Sequence, residues 1–186
     1  MTGEEMTAAL HALGDALEAE GTTGRIFLVG GAVMVLAFQT RESSDDLDAA
    51  VVPNEAVLRV ARAVGRRRGL QPDWLSEAAA IFIPIAKEPD WQPTGTYGTL
   101  EVLRADEATM LAMKLRASRG LRDRGDIELL VQRCGLTTKD EVLALYEEYF
   151  PEDPLPARAR PLIRAALAKS EPTDGDRGPR DDGPSS

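Results

Sequence analysis

Residues 27–52, FLVGGAVMVLAFQTRESSDDLDAAVV, constrain the fold more than any other stretch of the chain. They read as a strand, a Gly-Gly turn, an apolar helix, a short polar loop and a second strand opening with Asp46-Leu47-Asp48. Strand side chains alternate sides, so Asp46 and Asp48 share one face. Gly30 and Gly31 end the first strand and let backbone come close to a ligand where a side chain would block it. Glycine turn and carboxylate pair together point to a site for a metal-bound nucleotide. Each half alone has a plainer reading, as an ordinary strand–helix turn and as a solvated strand end with two acids. Leu47 and the apolar residues 49–52 make the second strand largely buried, and burying an unpaired carboxylate is costly. A metal or a basic residue is therefore expected beside Asp48.

Composition narrows the chemistry. The single histidine, His11, excludes His-rich metal sites, and its place in a predicted N-terminal helix argues against a Ser-His-Asp triad. Metal chemistry would rest on oxygen ligands, which means Mg²⁺ or Mn²⁺. The single cysteine, Cys134, excludes an internal disulfide and suits a reducing, cytoplasmic setting. Neither His11 nor Cys134 is expected to have a chemical role. No apolar run is long enough to span a bilayer, and the acidic start MTGEEMTAAL carries no secretory signal. The net charge of -9 argues against broad nucleic-acid binding, but the cations are clustered. One cluster holds Arg59, Arg62 and Arg66 to Arg68; the last three read as a solvated helix face. Lys114, Arg116, Arg119, Arg122 and Arg124 form a second patch, able to receive a triphosphate or an RNA backbone.

The chain of 186 residues suits one compact unit. Met6, Leu10, Leu13 and Leu17 predict a helix over residues 6–20, with Thr2 as its cap. Strands are expected over 25–29, 47–52 and 99–103, and a buried helix over 32–39. Asn54 is expected to cap a helix running to about Arg68, closed by Gly69. Residues 71–98 hold both tryptophans and predict an irregular segment, with a short helix near 73–79 and a short edge strand. Asp106 caps a helix over 107–118, and a further helix covers 126–134. Thr138 and Glu141 have capping-box spacing for the next helix, and a last one covers 157–169 with Pro161 near its start. This order predicts an α+β fold: a small mixed sheet backed by helices over residues 1–105, then a C-terminal helical layer over 106–169. The tail 170–186 has no large apolar residue and is expected to be disordered.

Lys114 lies among apolar neighbours in MLAMKLRA and reads either as a phosphate ligand or as a snorkelling surface lysine. Asp123 and Asp126, three residues apart, can face one site on a helix, although Asp123 also suits a helix cap. Ser44, two residues before Asp46, reads as a phosphate contact, a modification site or a loop serine bonded to nearby backbone. Glu101 completes an acidic triad only if its strand brings it inward; an exposed strand acid is the simpler expectation.

Taken in order, Gly30-Gly31 followed by Arg41-Glu42-Ser43-Ser44-Asp45-Asp46-Leu47-Asp48 resembles the GG…R…SxDhD pattern of minimal nucleotidyltransferases. The later run Lys114-Leu115-Arg116-Ala117, Arg119, Arg122-Asp123 and Asp126-Ile127 is similar to the KLxA…R…RDxxD motif of abortive-infection E-type toxin nucleotidyltransferases. The two motifs span residues 27–130. The resemblance implies a nucleotidyltransferase-like fold with defined roles. Gly30, Gly31 and Ser44 would hold the triphosphate, Asp46 and Asp48 the metals. Lys114 would contact phosphate, and Asp123 or Asp126 would be the late catalytic acid. It further implies transfer of a nucleoside monophosphate from an NTP to an acceptor, with tRNA the acceptor in relatives of this type, as the toxin of a toxin-antitoxin pair. A cognate antitoxin would silence it, in some systems by phosphorylating the serine beside the acid pair, here Ser44. Two other readings accompany this one: a non-catalytic nucleotide-binding or protein-interaction module, and a nucleotidyltransferase acting on a small molecule or a protein.

Overall fold

The computed structural model describes residues 1–170. Helix α1, Gly3–Ala19, begins at Thr2, whose hydroxyl accepts the Glu5 N–H while the Glu5 carboxylate accepts the Thr2 N–H. Two otherwise unsatisfied donors are thus paired at the first turn. Strand β1, Gly24–Leu28, leads into the seven-residue helix α2, Gly30–Leu36, and a polar loop returns the chain to β2, Leu47–Val52. Helix α3, Asn54–Arg68, ends at Gly69 in the left-handed conformation, and β3 is the short strand Leu75–Ser76. Strands β4, Trp91–Tyr97, and β5, Leu100–Ala105, form a hairpin. Four helices follow: α4 Glu107–Ala117, α5 Arg124–Arg133, α6 Lys139–Tyr149 and α7 Arg160–Ser170.

The five strands form one mixed sheet in the order β3-β2-β1-β5-β4. Strand β1 runs antiparallel to β2 and parallel to β5. Register puts Ile26 beside Val51 and Val102, and Leu28 beside Ala49, so one face of the sheet is apolar. That face packs against Met6, Leu10, Leu13 and Leu17 of α1 and Val57, Val60 and Val64 of α3, within one buried cluster. Burying each such side chain contributes about 1.5–3 kcal/mol. The alternate residues of β2, including Asp48 and Ala50, point to the other face, as the two-residue strand period requires. Helices α4 to α7 pack on one another beyond the sheet, and α4 also touches α2. The fold is α+β, with a mixed sheet and seven helices among the described residues.

Several sequence expectations need correction. Residues 73–79 form no helix. The stretch 71–98 does supply the expected short edge strand, β3, and beyond it a second and longer one, β4, with a 3₁₀ turn at Ala80–Phe82. Pro93 and Gly95 obscured β4, yet they sit at a register shift on an edge strand, where a missing N–H and a bulge are tolerated. Asn54 is the first residue of α3 rather than its cap; its side chain donates to Glu77 instead. The last helix takes in Ser170, and the rest of the expected disordered tail lies outside the described residues. No described helix is long and apolar enough to cross a membrane.

Candidate functional site

The polar ends of β1 and β2 meet the C-terminal helices at a cleft of about 360 Å³. Gly30, Asp46, Asp48, Lys114 and Asp123 line it, brought together from segments up to 93 residues apart in the sequence (123 − 30). Gly31, Ser44 and Asp126 are not wall residues; they stand against those that are. The two glycines serve close packing. Gly30 has φ +66, and a Cβ there would lie 2.7 Å from Asp48 Oδ2; a Cβ on Gly31 would lie 2.3 Å from Ser44 Oγ. Only glycine leaves room for the carboxylate and the hydroxyl at this turn. Helix α2 has seven residues, so its dipole adds little.

Among the described residues, no cation stands within ion-pair distance of Asp46 or Asp48, although Arg119 and Lys114 act on Asp48 from farther off. Burial first, and then the neighbouring Asp46, together push the Asp48 carboxyl up to about 6, against the opposing pull of the Ala79 N–H, Arg119 and Lys114. Asp46 is raised by burial and by Asp45 and Asp73. Like charges in a half-buried site disfavour ionisation together. A divalent cation would relieve both, and the donors are hard carboxylate oxygens of the kind Mg²⁺ and Mn²⁺ take. Among the described residues, no three His, Cys, Asp or Glu side chains cluster closely enough to form a complete protein cage. Mg²⁺ is commonly held by one or two carboxylates plus substrate phosphate, so the pair fits it. Glu101 does not join the pair: it is ion-paired with Arg25 at 2.6 Å on an exposed part of β5.

The opposite wall carries a second set of charges. Lys114, 6% exposed, does not snorkel. Its Nζ lies 2.7 Å from Asp126 Oδ2 and 3.4 Å from Asp123 Oδ1. Arg41 grips Asp126 through two bonds, Nε to Oδ1 at 2.9 Å and a terminal nitrogen to Oδ2 at 2.5 Å, and also donates to the Arg122 carbonyl. Asp123 is 1% exposed and Asp126 3%. Burial works against the Asp123 charge, but Lys114 and the Arg119 N–H at 2.6 Å outweigh it and hold the carboxyl low. Asp123 stands at the N-terminal boundary of α5 yet caps no N–H of it, so the capping alternative is excluded.

Sequence reasoning placed Arg41 only within a motif and gave it no role. Its partner is 85 residues away, and no local signal predicts that pairing. The second basic patch also divides. Arg116 pairs with Asp153 and lies over the Phe150 ring, and Arg124 pairs with Glu128. Arg119 and Arg122 line the cleft. Ala78, Ala79 and Phe82 supply an apolar wall from the stretch read as irregular, facing Met110 and Met113 of α4. Cys134 stands apart from this chemistry; burial pushes its thiol up to about 11.

The first residues pin the loop that carries Ser44. The Met1 ammonium donates to the Ser44 carbonyl, the Ser44 N–H donates back to the Met1 carbonyl at 3.0 Å, and Thr2 bridges to Ser43. Compared with known proteins, the chain matches no protein-family model, no curated protein and no solved structure.

Proposed function

We propose that the chain is a Mg²⁺-dependent nucleotidyltransferase of nucleotidyltransferase-like fold. It transfers a nucleoside monophosphate from an NTP to an acceptor hydroxyl, with tRNA as the acceptor class implied by the motif resemblance. The observation that carries this reading is the convergence of Gly30, Asp46, Asp48, Lys114 and Asp123 on one cleft. Toxin activity, a cytoplasmic setting and silencing by an antitoxin acting at Ser44 belong to the same proposal and rest on the resemblance alone.

Asp46 and Asp48 would hold the cation, which when bound neutralises phosphate charge and favours in-line displacement. Gly30 keeps the Asp48 carboxylate free to face the cleft. Lys114 is held in place by Asp123 and Asp126, which balance its charge and fix the opposite wall of the cleft. The acceptor hydroxyl attacks the α-phosphate, a new P–O bond forms, the bond from the α-phosphorus to the bridging oxygen breaks to release pyrophosphate, and the hydroxyl proton passes to water. The apolar wall of Phe82, Met110 and Met113 suits a base or sugar excluded from water.

The test is transfer of label from α-labelled triphosphates to total tRNA. The wild-type chain labels tRNA and releases pyrophosphate. Asp48→Ala loses activity about 10³-fold or more, the loss expected when several kcal/mol of charge stabilisation disappear. Equal labelling by the wild type and a folded Asp48→Ala variant would end the proposal.

A further inference from the structure

The cleft contains three positive side chains, but they are not equally available to a ligand. Lys114 is 7% exposed at the side chain and shared between Asp123 and Asp126, which are 2% and 4% exposed. Asp126 is also held by Arg41. Two cations and two carboxylates thus form a closed, neutral set. Removing a partner from such a set leaves a buried charge unpaired, which is strongly unfavourable.

Arg119 and Arg122 are different. Their side chains are 54% and 56% exposed. Arg119 approaches Asp123 only to 3.6 Å, and Asp123 has closer partners. Arg122 pairs at 3.1 Å with Asp45, whose side chain is 88% exposed. The Arg122–Asp45 pair is exposed on both sides and contributes little, and the Arg119 guanidinium is more than half exposed and makes only a long contact to the buried Asp123, so both groups can turn to a ligand. The Arg122 backbone is fixed meanwhile, because Arg41 bonds its carbonyl at 3.2 Å. Guanidinium also matches phosphate oxygens with two parallel N–H donors.

We propose that Arg119 and Arg122, rather than Lys114, grip the polyphosphate of the bound ligand, and that Asp45 competes with that polyphosphate for Arg122. This assignment rests on the polyphosphate half of the nucleotidyltransferase reading. Asp45 therefore acts against its neighbours: Asp46 and Asp48 promote binding through a cation, while Asp45 restrains it by occupying an arginine.

The experiment is calorimetric titration of the full chain with Mg²⁺-tripolyphosphate and with each Mg²⁺-nucleoside triphosphate. Arg119→Gln and Arg122→Gln each weaken binding about 10-fold, the loss of a charge-assisted contact. Asp45→Asn tightens binding roughly 2–5-fold, since a weak exposed competitor is removed. In the Arg122→Gln background that gain disappears. Unchanged affinity in both arginine variants overturns the proposal, as does wild type that binds neither tripolyphosphate nor nucleotide. A gain from Asp45→Asn that persists without Arg122 overturns the competition, because it then reflects charge at a distance. Arginine-dependent binding with no pyrophosphate released alongside any acceptor supports the grip and sinks the transfer reading, so the two failures are distinguishable.

Discussion

Two aspartate pairs face each other across the cleft, and the more buried pair is the more comfortable one. Asp123 is almost fully buried, yet its carboxyl is held low. Asp48 is only half-buried, yet its carboxyl is pushed up to about 6. Depth therefore does not decide the matter. Asp123 and Asp126 have Lys114 and Arg41 within contact distance, whereas the charges that act most strongly on Asp46 and Asp48 are other acids. One pair is finished by the fold. The other is left with charge that a cation can satisfy.

The sharpest way to break this contrast is to make the same substitution on both sides. Asp126→Asn removes the closest counter-charge of buried Lys114 and partly buried Arg41, leaving them only the longer contacts to Asp123, and should destabilise the fold by about 3 kcal/mol. Chemical denaturation measures this directly, and a loss below about 1 kcal/mol would show that the set is not closed. Gly30→Ala comes next. Its left-handed backbone costs about 1–2 kcal/mol with any Cβ, and the 2.7 Å approach to Asp48 Oδ2 adds to that. Adding Asp48→Ala should recover the second part and not the first, which a double-mutant cycle reads.

Asp48→Asn should move stability in the opposite direction from Asp126→Asn. Folding raises the Asp48 carboxyl from 3.8 to about 6, so the folded state binds this proton more tightly. Its contribution to stability falls as pH rises through that window, and above it the full penalty remains. Asp48→Asn should therefore raise the melting temperature near neutral pH, with the gain fading toward pH 4. Solvent screens a half-exposed charge, so the gain is about 1 kcal/mol, or about 2–4 °C for a chain of this size. Glu101→Gln should change least. It removes an exposed pair with Arg25, should shift stability by less than about 0.5 kcal/mol, and should leave transfer intact.

Local patterns made much of the frame legible. The apolar spacing in α1, the Thr2 cap, the Thr138 capping box and the Asp106 cap each need only one turn of chain, and each has the expected form; at Thr2 the Glu5 carboxylate adds a reciprocal bond beyond the expected cap. The strand period alone turns Asp48 away from the apolar face; Asp46 precedes β2 in a bend rather than sharing its face, yet lines the same cleft. What escaped depends on distant partners or on position within the sheet. Strand β4 contains Pro93 and Gly95, and only its place at the edge makes it a strand. Lys114 reads equally as exposed or buried until Asp123 and Asp126 are folded against it. Arg41 reaches Asp126 through the tertiary fold, and the Asp45–Arg122 pair spans 77 residues. Sequence spacing carries no trace of either.

The contrast between the two pairs is tested most directly by Mn²⁺ binding, followed from the loss of the free-ion electron paramagnetic resonance signal with a nucleoside triphosphate present. The wild-type chain should take up Mn²⁺ beyond what the nucleotide alone holds, more weakly as pH falls below about 6, where Asp48 gains its proton. Folded Asp46→Asn and Asp48→Asn variants should lose that uptake. Uptake equal in the wild type and both variants would contradict the account, because the uncompensated carboxylates would then not be where the cation goes.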